Sequence, residues 1–195
     1  MSGKYNRKDA LYKKAKSEGY RSRAAYKLIE LEQKHHIFRN VRTVVDLGCF
    51  PGGWLQVAAR HASKVVGIDL KDCEPLSNLE NVVVLKGDIY EEDIHDEITE
   101  ITGGLDLVLS DMSPKISGIK FRDAAQSANL VEAAFEFAEK NLSKGGNIVT
   151  KIFPGHESDE LFRRYNSCYK KLKRVTLKSS RNSSNEFYFV GLEKL

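Results

Sequence analysis

The sequence contains only three cysteines, Cys49, Cys73 and Cys168, with neither paired spacing nor histidines at metal-ligand intervals. That argues against a disulfide framework or a thiolate metal site. No stretch approaches the roughly 18 uninterrupted apolar residues that a bilayer span requires, so no membrane partner is expected. The opening Met1-Ser2-Gly3-Lys4 is polar and charged, and no apolar leader core follows it, which points to a cytoplasmic location. Internal repeats, low-complexity tracts and linkers are also missing, and 195 residues suit one domain. The expectation is a monomer with a single domain over 1–195, a basic segment at 1–23 leading into a core at 24–195.

Two other groups of reactive side chains read as structural. Cys49 has no partner base nearby in the sequence, so it reads as a small buried filler rather than a nucleophile. His35 and His36 are adjacent on a predicted helix, where neighbours point in different directions, so a surface role is expected rather than a shared metal.

What the chain does have is charge, unevenly placed. The formal net charge is +4, yet residues 1–23 carry eight Lys/Arg against two acids, and residues 163–181 carry eight against none. The stretch between them, 24–162, is net acidic. Such segregation suits a polyanionic partner, although charge alone would also fit a solvated tail. In the first segment Tyr5, Tyr12 and Tyr20 are interleaved with Lys4, Arg7, Lys8, Lys13, Lys14, Arg21 and Arg23. That mixture can contact phosphates and stack on bases, which points to RNA.

Periodicity orders the rest. Residues 22–38 read as a helix with Ser22 as N-cap and Ala24, Leu28 and Leu31 on one face. Short β-branched runs at Thr43–Gly48, Lys64–Asp69, Val82–Lys86, Leu105–Ser110 and Asn147–Ile152 read as buried parallel strands. Helices are predicted to start near Gly53, over 91–100, over Asp123–Asn141 with Gly145-Gly146 as the stop, and near 158–166. Leu172–Leu177 and Phe187–Leu192 read as antiparallel strands joined by a turn at Arg181-Asn182-Ser183-Ser184. Strands alternating with helices imply an α/β fold with a mostly parallel sheet, whose crevice at the carboxyl ends of the strands takes the ligand.

The loop Asp46-Leu47-Gly48-Cys49-Phe50-Pro51-Gly52-Gly53-Trp54 lies at that crevice. Gly48, Gly52 and Gly53 allow close backbone approach and positive φ. A dinucleotide loop would run G-x-G-x-x-G, and here Phe50 takes the place of the second glycine. Asp46, expected at the mouth of the site, would repel a pyrophosphate but suits the cationic groups of S-adenosylmethionine. Asp69 ends the second strand, where a carboxylate can accept from ribose hydroxyls, and Asp88 follows the third, where it can accept from an adenine amino group. Each aspartate alone could be a turn residue, but three acids at successive strand ends make a nucleoside cofactor the better reading.

The ordered motifs D-L-G-x-x-P-G-G-W, G-I-D-L, G-D, S-D-M-S-P, K-I-F and N-E-F-Y resemble the FtsJ/RrmJ family of ribosomal RNA 2′-O-methyltransferases, from about residue 20 to the C-terminus. Cys49-Phe50 stands where family members often carry smaller residues. The resemblance implies a Rossmann-like sheet of seven strands with the last antiparallel. It implies S-adenosylmethionine as cofactor, contacted by Gly52, Gly53, Trp54, Asp69, Asp88 and Asp111. It also implies ribosomal RNA or the large ribosomal subunit as partner, with a uridine of 23S-type RNA as the target.

The same resemblance implies a catalytic tetrad of Lys27, Asp111, Lys151 and Glu186. A ribose hydroxyl is a weak nucleophile that needs orientation and loss of its proton, and the order of elements independently sets Asp111 and Lys151 at the ends of the fourth and fifth strands, Glu186 at the start of the last and Lys27 on the N-terminal helix. Lys151 is the candidate base or steering group, and no metal is required. Two salt bridges closing the sheet would be a purely structural reading of the four. A transfer RNA methyltransferase, a non-catalytic RNA-binding protein on the same fold and a nicotinamide oxidoreductase are the competing functions.

Overall fold

The computed structural model describes residues 10–181 and 184–195. Lys4, Tyr5, Arg7 and Lys8 of the basic segment, and Asn182-Ser183 of the expected turn, lie outside the described residues. Among these residues seven strands form one sheet: β1 Thr43–Leu47, β2 Lys64–Asp69, β3 Val82–Lys86, β4 Leu105–Ser110, β5 Leu142–Ile152, β6 Tyr169–Val175 and β7 Phe187–Lys194. Their order is β3-β2-β1-β4-β5-β7-β6. All neighbours are parallel except β7, which runs antiparallel to β5 and β6. The strand order reverses between β1 and β4, so the crevice of this α/β sheet opens at their carboxyl ends.

Among the described residues six α-helices accompany it: α1 Ala10–Ser17, α2 Ala25–His35, α3 Gly53–Ala58, α4 Glu92–Thr102, α5 Lys120–Asn141 and α6 His156–Tyr165. The strands alternate between two cores. Val44, Val65, Leu107 and Val149 pack with Leu28, Leu31, Leu55 and Val57 of α2 and α3. Val45, Val66, Val108 and Ile148 pack with Ile94, Val131, Phe135 and Leu161 of α4, α5 and α6. Fully burying one such side chain contributes about 1.5–3 kcal/mol, so the two layers together hold the strand ends in place.

Several boundaries differ from expectation. Part of the basic segment is helical: α1 docks through buried Ala15 and leaves Lys13, Lys14 and Lys16 exposed. Ser22 does not cap α2, which starts at Ala25 after Ala24 without a side-chain cap. Residues 22–24 instead form a turn whose carbonyls accept from the amides of Ala25, Tyr26 and Lys27, three residues on. Gly145-Gly146 does not stop α5, because the chain passes straight into β5 at Leu142 and the pair sits inside that strand, beside an irregularity in the β4–β5 register. His35 is half-buried, not superficial, and both ring nitrogens lack a hydrogen-bond partner among the described residues. Burial first, then Lys173, Lys34 and Lys171, holds its imidazolium pKa below the ordinary value. His36, exposed and left-handed at φ 52°, ends the helix.

One long-range clamp matters for the site. Glu30 on α2 accepts from the amides of Lys178 and Ser179, both at 2.9 Å, and from Lys34 at 2.5 Å. Burial works to raise its carboxyl, but those hydrogen bonds outweigh it and bring the pKa down to about 2. Because the folded value lies below the unfolded one, the stability it adds is present above pH 4.5 and disappears as pH falls towards 2. Glu30→Gln should therefore cost about 1–3 kcal/mol at neutral pH. Urea titrations should find that difference shrinking from pH 4.5 downward, and a difference independent of pH would contradict the clamp.

Candidate active site

Sheet register assembles most of the site. Ser110 at the end of β4 pairs with Thr150, so the next residue, Asp111, lies level with Lys151. Lys151 in turn pairs with Tyr188 on β7, and Glu186 stands two residues before Tyr188, on the same side by alternation. The last member arrives on a helix. Buried Ala25, Leu28 and Leu31 seat α2, and Trp54 Nε1 donates to Ala24 O at 2.7 Å, which brings Lys27 over the strand ends.

The four residues singled out by sequence form one alternating chain of charge. Lys151 Nζ lies 3.3 Å from Asp111 Oδ1 and donates to the Asp111 carbonyl at 2.6 Å. Lys27 Nζ lies 3.7 Å from the same Oδ1 and 2.6 Å from Glu186 Oε1. Two ammonium groups thus converge on one carboxylate oxygen. Burial pushes the Asp111 carboxyl up, but Lys151 and Lys27, with hydrogen bonds from Tyr188 and Lys151, outweigh it and hold it below its ordinary pKa. Glu186 is likewise held low, burial being overcome by Lys27 and by the Ser180 hydroxyl, which donates at 2.8 Å.

Tyr188 was not singled out from sequence. Its buried hydroxyl donates to Asp111 Oδ1 at 2.8 Å and its ring lies 5.8 Å from Lys27 Nζ. Burial, then the Asp111 charge, raises its phenol pKa well above the ordinary value, so it remains a donor. The signal was present: alternation in N-E-F-Y sets the tyrosine on the face of Glu186. Ser180 carries no such signal, because its reach to Glu186 depends on the Glu30 clamp.

Two cavities meet at these residues. One, of about 420 Å³, is lined by Gly48, Phe50, Asp69, Leu70, Asp88, Tyr90, Asp111 and Ser113 among others. The second, of about 530 Å³, is lined by Arg23, Lys27, Ser113, Ile116, Lys120, Phe153, Arg181 and Glu186 among others. Ser113 belongs to both, and Asp111 and Lys27, one from each, are an ion pair. Both volumes fall within the about 300–1,000 Å³ common for small-molecule sites.

The chemistry of the first cavity suits a cationic nucleoside. Three carboxylates stand at its wall, Asp69 ending β2 and Asp88 and Asp111 following β3 and β4, and exposed Phe50, Leu70 and Tyr90 supply apolar and aromatic surface. A pyrophosphate would meet that anionic lining unfavourably. Asp69 also accepts from Phe50 N and Lys71 N, both at 2.9 Å, and Asp88 from Tyr90 N at 3.1 Å, so these carboxylates shape the loops as well. Gly48, at φ +77°, is a position where a side chain would collide with Met112.

Asp46 needs correction, because it does not stand at the mouth. It is 1% exposed, and neither carboxylate oxygen has a hydrogen-bond partner among the described residues. Burial first, then Asp111 and Asp69, raises its carboxyl pKa well above the ordinary range. An uncompensated buried acid between two others is what a cationic ligand nearby would balance, and this orphaned carboxylate is the best test that the residues fit S-adenosylmethionine.

Gly52, Gly53 and Trp54 do not line the cavity. A side chain at Gly52, where φ is +103°, would meet Arg21, one at Gly53 would strike Ser22 Oγ, and Trp54 is buried against Ala24 and Tyr188. The glycine loop thus makes room for residues 21–24. In return Arg21 donates to the carbonyls of Pro51, Glu74 and Pro75, and Arg23 to that of Ser179. Tyr20 is buried and accepts from Arg60 Nη1 at 2.7 Å. The end of the expected RNA-contacting segment therefore belongs to the scaffold, because its guanidinium and phenol groups satisfy backbone and core.

Comparison with known proteins agrees with this architecture. Residues 20–194 match the model of the FtsJ-like methyltransferase family. The ribosomal RNA large subunit methyltransferase E of Archaeoglobus fulgidus is 42% identical over 186 residues, 95% of this chain and 96% of its own. The protein of that name from Nitrosospira multiformis is 40% identical, over 95% of this chain and 91% of its own. A crystal structure of a ribosomal RNA methyltransferase from Plasmodium falciparum superposes with TM-score 0.80 at 28% identity, covering 90% of this chain and 99% of that one. A methyltransferase from Streptococcus mutans, solved in complex with SAH, shares the fold alone, with TM-score 0.57 and 13% identity over 85% of this chain and 97% of that one.

Proposed function

The chain belongs to the FtsJ-like methyltransferase family, and from that premise we propose that it methylates a ribose 2′-hydroxyl, that of a uridine, in the RNA of the large ribosomal subunit, with Lys27, Asp111, Lys151 and Glu186 as its catalytic residues. It is an RNA methyltransferase dependent on S-adenosylmethionine. The observation that carries the assignment of roles is the ion-pair chain Lys151–Asp111–Lys27–Glu186, which spans the boundary between the two cavities.

The cofactor, when bound, supplies an electrophilic methyl group on a sulfonium. Gly48, Asp69, Asp88 and Asp111 would hold it in the 420 Å³ cavity, and Asp46, buried two residues before Gly48, would give up its proton to balance the cation. Gly52, Gly53 and Trp54 act on it indirectly, by fixing the loop against residues 21–24. The acceptor nucleoside occupies the 530 Å³ cavity.

Lys151 spends two N–H bonds on the Asp111 carbonyl and carboxylate. The third is directed to the sugar oxygen and orients its lone pair. Lys27 and Glu186 border the acceptor cavity and hold the ribose, while Tyr188 fixes the rotamer of Asp111. With the cofactor bound, the oxygen would take the methyl as its bond to the sulfonium sulfur breaks to leave a neutral thioether, and the hydroxyl proton would leave to water.

Among the described residues no helix is long and apolar enough to cross a membrane. The proposed working form is a cytoplasmic monomer of one domain, with exposed Lys13, Lys14 and Lys16 of α1 meeting RNA phosphates, so activity should fall as salt rises.

The test is transfer of labelled methyl from S-adenosylmethionine to large ribosomal subunits from cells lacking the enzyme, with alkaline hydrolysis to locate 2′-O-methyl nucleotides. Label in a ribose of large-subunit RNA is the expected result. Label confined to bases, or to transfer RNA supplied in parallel, would overturn the proposal.

A further inference from the structure

Large apolar side chains left in water need an account, and one group of them has none so far. Phe50, Leu70 and Tyr90 line the cofactor cavity. Ile116, Ile119 and Phe121 are 59%, 60% and 77% exposed and lie in or next to the irregular stretch that joins β4 to α5. Ile116 and Lys120 line the acceptor cavity, so this stretch forms its rim. Exposed Lys115, Lys120 and Arg122 alternate with the apolar residues.

The first acid beyond them is Asp123, and it is turned inward. Its carboxylate accepts from Ser117 N at 2.8 Å, Ser117 Oγ at 2.6 Å and Gly118 N at 3.1 Å, which sets the rim before any ligand arrives. The rim therefore shows a partner aromatic and aliphatic surface framed by three cations, while the carboxylate of Asp123, which also lines the cavity, is taken up by the loop's own donors. An apolar groove on a protein would need the apolar surface but not the cations. An unstacked polynucleotide needs both, since bases stack on aromatic rings while Lys and Arg meet the phosphates.

We propose that residues 115–122 are a stacking wedge: Phe121 takes the face of a base adjacent to the nucleotide being methylated, Ile116 and Ile119 flank it, and Lys115, Lys120 and Arg122 contact the neighbouring phosphates. The wedge keeps the target nucleotide out of its own stack and delivers it to Lys151. This rests on the reading of the 530 Å³ cavity as the acceptor site.

The test uses large ribosomal subunits from cells lacking the enzyme. Phe121→Ala should raise KM for subunits about tenfold, the range expected for one base–aromatic stack, with kcat within twofold and cofactor affinity unchanged. Phe121→Leu, apolar but without a π face, should behave like the alanine variant, and Phe121→Trp like the parent. The chain's single tryptophan, Trp54, is buried, so the added indole can be followed by difference, and subunits should quench it. An unchanged KM in Phe121→Ala, a parental KM in Phe121→Leu, or an unquenched indole would overturn the wedge. The second outcome would point to an apolar contact with a ribosomal protein. If the parent transfers no methyl to subunits, the acceptor assignment fails instead, and quenching of the Phe121→Trp variant by oligouridylate decides the wedge separately.

Discussion

Lys151→Ala is expected to lower the single-turnover rate of methyl transfer by about 10³-fold or more, the range seen when a positioned proton-handling or charge-stabilising group is lost. Cofactor affinity should change little, because Lys151 does not line the cofactor cavity. The fold should also survive, since Asp111 keeps Lys27 and the Tyr188 hydroxyl as partners. Lys151→Arg separates charge from geometry. It retains the cation, but a planar fork cannot bond the Asp111 carbonyl and carboxylate as an ammonium does and still aim a third N–H at the sugar oxygen. It too should fail, by at least about 10²-fold. Rapid-quench measurements with saturating cofactor would decide the matter, and an alanine variant retaining a tenth of the parental rate would remove Lys151 from the chemistry.

The second large effect concerns Asp46 and has two opposed signs. Its carboxyl pKa is raised in the folded chain, so the folded state binds the proton more tightly than the unfolded one. The resulting cost to stability is absent below the ordinary carboxylate pKa of 3.8, grows as pH rises past it, and is complete once pH exceeds the folded value. Asp46→Asn removes the titration and substitutes an uncharged amide, which is cheaper to bury than an unpaired charge. At neutral pH the variant should therefore be more stable without cofactor, by about 1–3 kcal/mol, or several degrees in Tm. That gain should fade in acid below about pH 4.

The same substitution should weaken S-adenosylmethionine binding about 10- to 100-fold, since a charge-assisted interaction of about 1.5–3 kcal/mol is lost. In the parent, affinity should rise with pH as Asp46 gives up its proton, and in the variant that dependence should flatten. Calorimetry across pH for both proteins is the check. A variant that is both less stable and equally tight in binding would assign Asp46 to packing alone.

The pattern of strands and helices was legible because it rests on local periodicity. β-branched runs of five or six residues, broken by glycine loops, described β1 to β4 nearly to the residue. Element ends were less legible where packing overrode local signals, as at Ser22 and Gly145-Gly146. Ser22 has the chemistry of a cap but abuts Gly53, and the glycine pair reads as a helix stop but lies within a strand whose pairing begins earlier, at Leu142. Arg21 and Tyr20 read as RNA contacts because charge and aromaticity are visible in a sequence, whereas the carbonyls and guanidinium that engage them are not.

By itself, the order of residues determined the α/β class and the placing of Asp69 and Asp88 at successive strand ends, since each depends on spacing along one stretch of chain; the identities of the four residues that meet at the strand ends came from the motifs shared with the FtsJ/RrmJ family. Tertiary structure alone decided that Asp46 is sealed with no hydrogen-bond partner among the described residues, that Gly52, Gly53 and Trp54 face residues 21–24, and that Ser180 joins the charge chain. The physical reason is that strand register and helix packing set distances between residues up to about 160 positions apart, and a hydrogen bond or ion pair survives only within a few tenths of an ångström to an ångström of its proper length.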